Sequence, residues 1–191
     1  MPASTQRTPH LVAILGDIGA GKTALMTHLL RKDYMNGHNI IATYKLYFPK
    51  YKGCPEIHDS KDYDKVHVAF KEDLPFMNNA TVGFDELQMG ADARLGVKGL
   101  NRRLSYIAMQ ARKRDLDIIF TAQRNMHFDI RFRDLVSKII LVEQVHHDPV
   151  TIKCVFIDPK TVEKISSIYF YPDQELFDSY DTKEIIKEPE T

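Results

Sequence analysis

Apolar residues fall in short runs, separated by longer stretches of mixed polarity. The first run, His10–Leu15, reads as a strand buried on both faces, and it flows into the glycine-rich stretch Gly16–Gly21. A helix is predicted from Lys22 to Met35, stopped by Asn36-Gly37. Further strands are predicted at Asn39–Tyr44, Ala80–Phe84, Leu116–Ala122 and Lys138–Val145, with residues 45–60 irregular around Pro49, Gly53 and Pro55. Residues 98–114 form an amphipathic helix with Leu100, Leu104, Ile107 and Ala111 on one face, and a short helix is expected over 127–136. Beyond 145 the period drops to two. Val150, Ile152, Cys154 and Phe156 alternate with more polar neighbours, Asp158-Pro159-Lys160 turns the chain, and Lys164–Phe170 returns. One helical turn is expected near Gln174–Phe177. Strands alternating with helices predict an α/β fold, a mainly parallel sheet covered by helices, with an antiparallel hairpin at its edge.

The length, 191 residues, corresponds to one domain: a core over about 10–145, the hairpin over about 146–171 and an acidic tail over 172–191. Apolar content is too high for disorder. No apolar run approaches the roughly 20 residues that span a bilayer, so no stable membrane insertion is expected. The first residues lack the basic-then-apolar shape of a signal peptide. Two cysteines, Cys54 and Cys154, make neither a disulfide framework nor a metal cluster and fit a reducing, cytoplasmic compartment. Net charge is zero, from 26 Lys+Arg and 26 Asp+Glu, but unevenly spread. Residues 94–114 hold seven basic side chains and no acid, whereas 172–191 hold seven acids and two lysines. Solvated faces or a polyanion-binding segment account for this equally well.

Gly16-Asp17-Ile18-Gly19-Ala20-Gly21-Lys22-Thr23 matches G-x-x-x-x-G-K-[ST] in full, between a buried strand and a helix. Glycines let the backbone N–H groups turn inward onto phosphate oxygens, and the helix N-terminus adds positive potential, so Gly16 through Ala24 form the expected phosphate-binding set. Lys22 would reach the β- and γ-phosphates of ATP, and the Thr23 hydroxyl would bind Mg²⁺. The strand Ala80–Phe84 ends in Asp85-Glu86. Asp85 would hold the Mg²⁺ shell and Glu86 would polarise the attacking water; two acids at a strand end are otherwise simply solvated. Gly83 leaves room for a close backbone neighbour. Gln123 ends the strand Leu116–Ala122, placed either to sense the γ-phosphate or to cap a loop.

Phosphate loop, strand-terminal Asp-Glu and strand-terminal Gln together resemble the additional-strand, catalytic-glutamate branch of P-loop NTPases. Residues 112–123, a basic approach to the Gln123 strand, look like the FtsK–HerA superfamily. Residues 128–134, and more loosely the tail around 176–182, are similar to Zot-like proteins and archaeal-virus genome-packaging ATPases. The resemblance implies a three-layer sandwich with sheet order 5-1-4-3-2. It implies ATP hydrolysis that drives translocation or packaging of DNA, double-stranded in these motors, by a homo-oligomeric ring, hexameric or similar. It implies a trans-acting arginine finger, matched by Arg131 and Arg133, which could equally pair with Asp129 and Asp134. Two other functions fit a phosphate loop in a chain of this size. One is a small-molecule or nucleotide kinase, with Arg124, Arg131 and Arg133 as a lid; the other is a Zot-like virion-assembly ATPase that does not move DNA. Three further features are weaker. Tyr44, Tyr47, Phe48 and Tyr51 interleave with Lys45, Lys50 and Lys52, either as a strand-contacting loop or as aromatics packed on the domain. Arg94, Lys98, Arg102 and Arg103 suit a pore lining or a solvated helix face, and His146-His147 reads as a surface turn.

Overall fold

The structure, a computed structural model, describes residues 10–62, 65–66, 75–86, 111, 113–123 and 136–181. Among them the chain runs β1 (Leu11–Leu15), α1 (Lys22–Met35), β2 (Asn39–Ala42), β3 (Ile57–His58), β4 (Ala80–Phe84), β5 (Leu116–Ala122), β6 (Lys138–His147), β7 (Val150–Ile157), β8 (Lys164–Phe170) and α2 (Gln174–Asp178). All eight strands belong to one sheet, ordered β3-β2-β4-β5-β1-β6-β7-β8. The pairings from β3 through to β6 are parallel, and β6-β7 and β7-β8 are antiparallel.

Strand periodicity divides the core. Leu11, Ala13 and Leu15 join Leu116, Ile118, Phe120 and Ala122 on one face. Ile14, Ile40, Ile119, Ile140 and Val142 lie on the other, with Leu25, Met26, Leu30 and Tyr34 of α1 over them. The central strands are therefore apolar on both sides, which is why they read as continuous runs. Gly83 lies beneath α1: a Cβ there would stand 2.7 Å from Leu30 Cδ1. The close neighbour expected at Gly83 is thus a side chain and not backbone. Ala111 is buried in the opposite cluster, but the rest of the helix expected over 98–114 and the one over 127–136 lie almost wholly outside the described residues.

Four local expectations change. His146 and His147 lie in β6 and pair with β7 instead of forming a surface turn. β2 stops at Ala42, two residues early: Thr43 keeps one backbone bond to β4, and Tyr44 turns away to Thr27. The irregular stretch 45–60 contains β3, a two-residue strand too short to show a period. The first half of the acidic tail is docked. Asp173 caps α2 by accepting the Leu176 N–H at 2.8 Å, Leu176 is buried, and Tyr180 pairs with Leu46. Among the described residues no helix is long and apolar enough to cross a membrane.

Candidate functional site

The loop from Gly16 to Gly21 connects the end of β1 to the start of α1, whose first residues are Lys22 and Thr23. Gly19 and Gly21 adopt φ +77° and +90°, the left-handed region that glycine enters without strain. Space restricts the loop as well. A Cβ on Gly16 would lie 2.6 Å from the Val142 carbonyl of β6, and one on Gly21 would collide with Ile152 of β7. At Gly19 nothing stands in the way, so the loop is walled by β6 and β7 and open at its middle. Lys22 is 7% exposed, and its Nζ donates to the Asp17 carbonyl at 2.9 Å, folding the amine across the loop. Ala20 donates its N–H to the same carbonyl at 3.1 Å. Ile18 projects into solvent, and Ala24, in the first turn of α1, is buried.

Asp85 and Glu86 leave the end of β4. The Thr23 hydroxyl lies 3.1 and 3.0 Å from the two Asp85 carboxylate oxygens, so residues 62 apart in sequence meet directly. Thr121 of β5 donates to Asp85 Oδ1 at 2.6 Å and accepts the Glu86 N–H at 2.8 Å. Parallel register explains that contact: Phe84 pairs with Phe120, so the next residue of each strand is level. The Asp85 N–H donates to the Thr43 hydroxyl at 3.0 Å. Burial raises the Asp85 carboxyl above its ordinary range, against the opposing hydrogen bonds from Thr121 and Thr23. Glu86 holds φ +46°, an uncommon conformation for a non-glycine residue, which turns the chain sharply out of β4.

Gln123 directly follows Ala122, which pairs with Leu15 of β1 and accepts the Gly16 N–H at 3.3 Å. Gln123 is exposed at the strand end that flanks the phosphate-loop strand. Arg131 and Arg133 lie outside the described residues, as do Arg94, Lys98, Arg102, Arg103 and Arg124. The aromatic–lysine loop is mixed: Tyr44 and Phe48 are buried, while Tyr47 and Tyr51 are exposed. Thr121 and Thr43 bond the acidic pair, and no sequence motif marks them. The available sign was a lone hydroxyl residue in the otherwise apolar end of β5, on the face that α1 covers.

The donors suit Mg²⁺. One carboxylate and one hydroxyl are hard oxygen ligands, and this ion keeps most of its waters and takes few protein ligands. Among the described residues no group of three His, Cys, Asp or Glu side chains gathers as a metal cage. A desolvated carboxylate facing a hydroxyl, beside a lysine laid over a glycine cradle, is complementary to a metal-bound phosphate.

No family model and no curated protein matches the sequence. Among solved structures, the crystal structure of the N-terminal domain of zonular occludens toxin from Neisseria meningitidis aligns with 92% of this chain and 100% of its own, at a TM-score of 0.55 and 16% identity. At that identity the likeness is one of fold, and the chain's mixed α/β architecture resembles that of the toxin domain.

Proposed function

We propose that this chain is a Mg²⁺-dependent P-loop ATPase of the additional-strand, catalytic-glutamate type, converting ATP and water to ADP and phosphate. The meeting of Thr23 with Asp85 at 3.0 and 3.1 Å carries this reading, because it joins a complete phosphate-loop motif to a strand-end carboxylate. The position of β5 between β1 and β4 supports the additional-strand assignment. Residues 16–24 would wrap the phosphates with backbone N–H groups, and Lys22 would exchange the Asp17 carbonyl for phosphate oxygens. Thr23 and Asp85 would hold Mg²⁺, which when bound supplies charge neutralisation across the β- and γ-phosphates. Glu86 would take a proton from the attacking water as the new P–O bond forms and the bond to ADP breaks. Gln123, at the neighbouring strand end, would orient that water.

The coupled work in this proposal is translocation or packaging of double-stranded DNA by a homo-oligomeric ring in the cytoplasm, with Arg131 or Arg133 reaching the neighbouring subunit's γ-phosphate. Its support is the resemblance of residues 112–123 and 128–134 and the acid-free basic run 94–114. A carboxylate beside Asp85, placed to activate water, favours hydrolysis over transfer to a small acceptor. The test is ATPase activity on size-fractionated oligomers, with and without double-stranded DNA, for wild type and Lys22→Ala. Hydrolysis abolished in Lys22→Ala and stimulated by DNA is the expected result. Rapid phosphoryl transfer to a nucleoside or nucleotide would replace the motor with a kinase. Hydrolysis indifferent to DNA in every oligomer would favour an assembly ATPase.

A further inference from the structure

Thr43 and Tyr44 follow the end of β2; Thr43 bonds Asp85 directly, and Tyr44 reaches Thr23 through Thr27. Thr43 is fixed twice to the end of β4: its N–H donates to the Gly83 carbonyl at 3.1 Å, and its hydroxyl accepts the Asp85 N–H at 3.0 Å. The Tyr44 hydroxyl lies 2.8 Å from Thr27 Oγ1, and Thr27 Oγ1 donates to the Thr23 carbonyl at 2.8 Å. Thr27 has one hydroxyl proton, and the Thr23 carbonyl takes it. The shared proton in the other contact therefore comes from Tyr44, so the chain runs Tyr44 O–H to Thr27 O–H to Thr23 C=O. Tyr44 is 2% exposed, and burial raises its phenol well above the ordinary range, which keeps that donor protonated.

The C-terminal segment closes over this pair of residues. The Tyr180 ring meets that of Tyr44 edge-on, with centroids 6.2 Å apart and planes at 81°. Tyr180 forms an antiparallel bridge with Leu46, and Tyr47 donates its N–H to the Ser179 carbonyl at 2.8 Å. Farther back, Glu175 of α2 pairs with Arg31 of α1. The Tyr180 phenol is pushed up to about 12, by burial first and then by the Asp85 charge.

We propose that Thr43 and Tyr44 form a brace that sets the spacing of Thr23 and Asp85 for Mg²⁺, and that Tyr180 of the C-terminal segment clamps the brace. Thr43, Tyr44 and Tyr180 are positioning residues that act through the two ligands. The inference rests on the Mg²⁺–nucleotide reading of the site. One peptide link separates the two bracing residues, so a displacement of the 43–48 loop moves both ligands together. Peeling the C-terminal segment away would free that loop, which makes the segment a control point for metal affinity.

The test measures binding of a fluorescent ADP, once with Mg²⁺ and once with EDTA, to wild type, Thr43→Val, Thr43→Ser, Tyr44→Phe and Tyr180→Leu, alongside thermal melting. Wild type should bind more tightly with Mg²⁺. Thr43→Val, Tyr44→Phe and Tyr180→Leu should each lose about tenfold of the Mg²⁺-dependent affinity, the typical effect of removing a group that orients a metal ligand. Their affinity in EDTA should match wild type, and Thr43→Ser, which keeps the hydroxyl, should restore the Mg²⁺ gain. Folded variants that keep the full gain would overturn the brace, as would equal losses with and without Mg²⁺. Wild type that binds nucleotide without any Mg²⁺ gain would overturn the metal site itself, and the brace with it.

Discussion

Glu86 and Thr121 share one hydrogen bond, yet their replacement should give different results. Glu86→Gln keeps the shape and the backbone bond to Thr121 and removes the carboxylate proposed as the base. Nucleotide affinity should hold while kcat falls by about 10²–10⁴, the usual contribution of a positioned base, as read by steady-state hydrolysis. Unchanged turnover would remove Glu86 from the reaction. Thr121→Val leaves the Asp85 carboxylate and the Glu86 N–H each short of a partner, so urea unfolding should show a loss of about 1–3 kcal/mol. The two cysteines separate on pH. The Cys54 thiol is lowered, chiefly by its hydrogen bond with the Tyr34 hydroxyl, whereas burial pushes Cys154 up to about 11. A lowered value means more thiolate at a given pH, so alkylation of native protein at pH 8 should consume Cys54 alone, with Cys154 following only in denaturant. Tyr34→Phe should move the Cys54 rate profile to higher pH. The residues from Gly16 to Thr23 and at Asp85-Glu86 stood out in the sequence by their spacing, and the structure brings Thr23 and Asp85 of the two stretches together. Thr43 and Thr121 did not stand out, since hydroxyl residues at strand ends are common and only the register of β2, β4 and β5 brings these two to Asp85.

Among elements, the buried strands and α1 were readable because each is long enough to show its period or lies between clear breaks. β3 has two residues and no period to find. Docking of the tail was hidden for another reason: its attachment rests on scattered groups, among them buried Leu176, Tyr180, backbone contacts to Leu46 and Tyr47 and the Arg31–Glu175 pair, which share no spacing to read. The packing of α1 on β4 depends on Gly83. Gly83→Ala should force Leu30 from its rotamer and cost about 1–3 kcal/mol, visible as a lower denaturation midpoint with an unchanged slope. Combining it with Leu30→Val should cost less than the sum of the two single changes, because the valine vacates the clashing space. Strict additivity would show that the two side chains do not compete.

At the scale of the molecule, a chain of zero net charge has little long-range attraction for a polyanion. If a ring gathers the 94–114 segments, DNA affinity should appear in assembled fractions, fall steeply with added salt, and be weak for the monomer; equal affinity in both fractions would contradict this. Sheet order also bears on how the chain comes to be folded. β1 is made about a hundred residues before either of its lateral neighbours, β5, from Leu116, and β6, from Lys138. At roughly 5–20 residues per second, the phosphate-loop strand spends about 5–20 seconds of synthesis without either partner. Its apolar surface and unpaired backbone stay exposed for that time, and the closing step joins segments more than a hundred residues apart. Nascent chains that stall before residue 116 should therefore be clients of ribosome-associated chaperones, and fragments ending there should aggregate where the full chain does not.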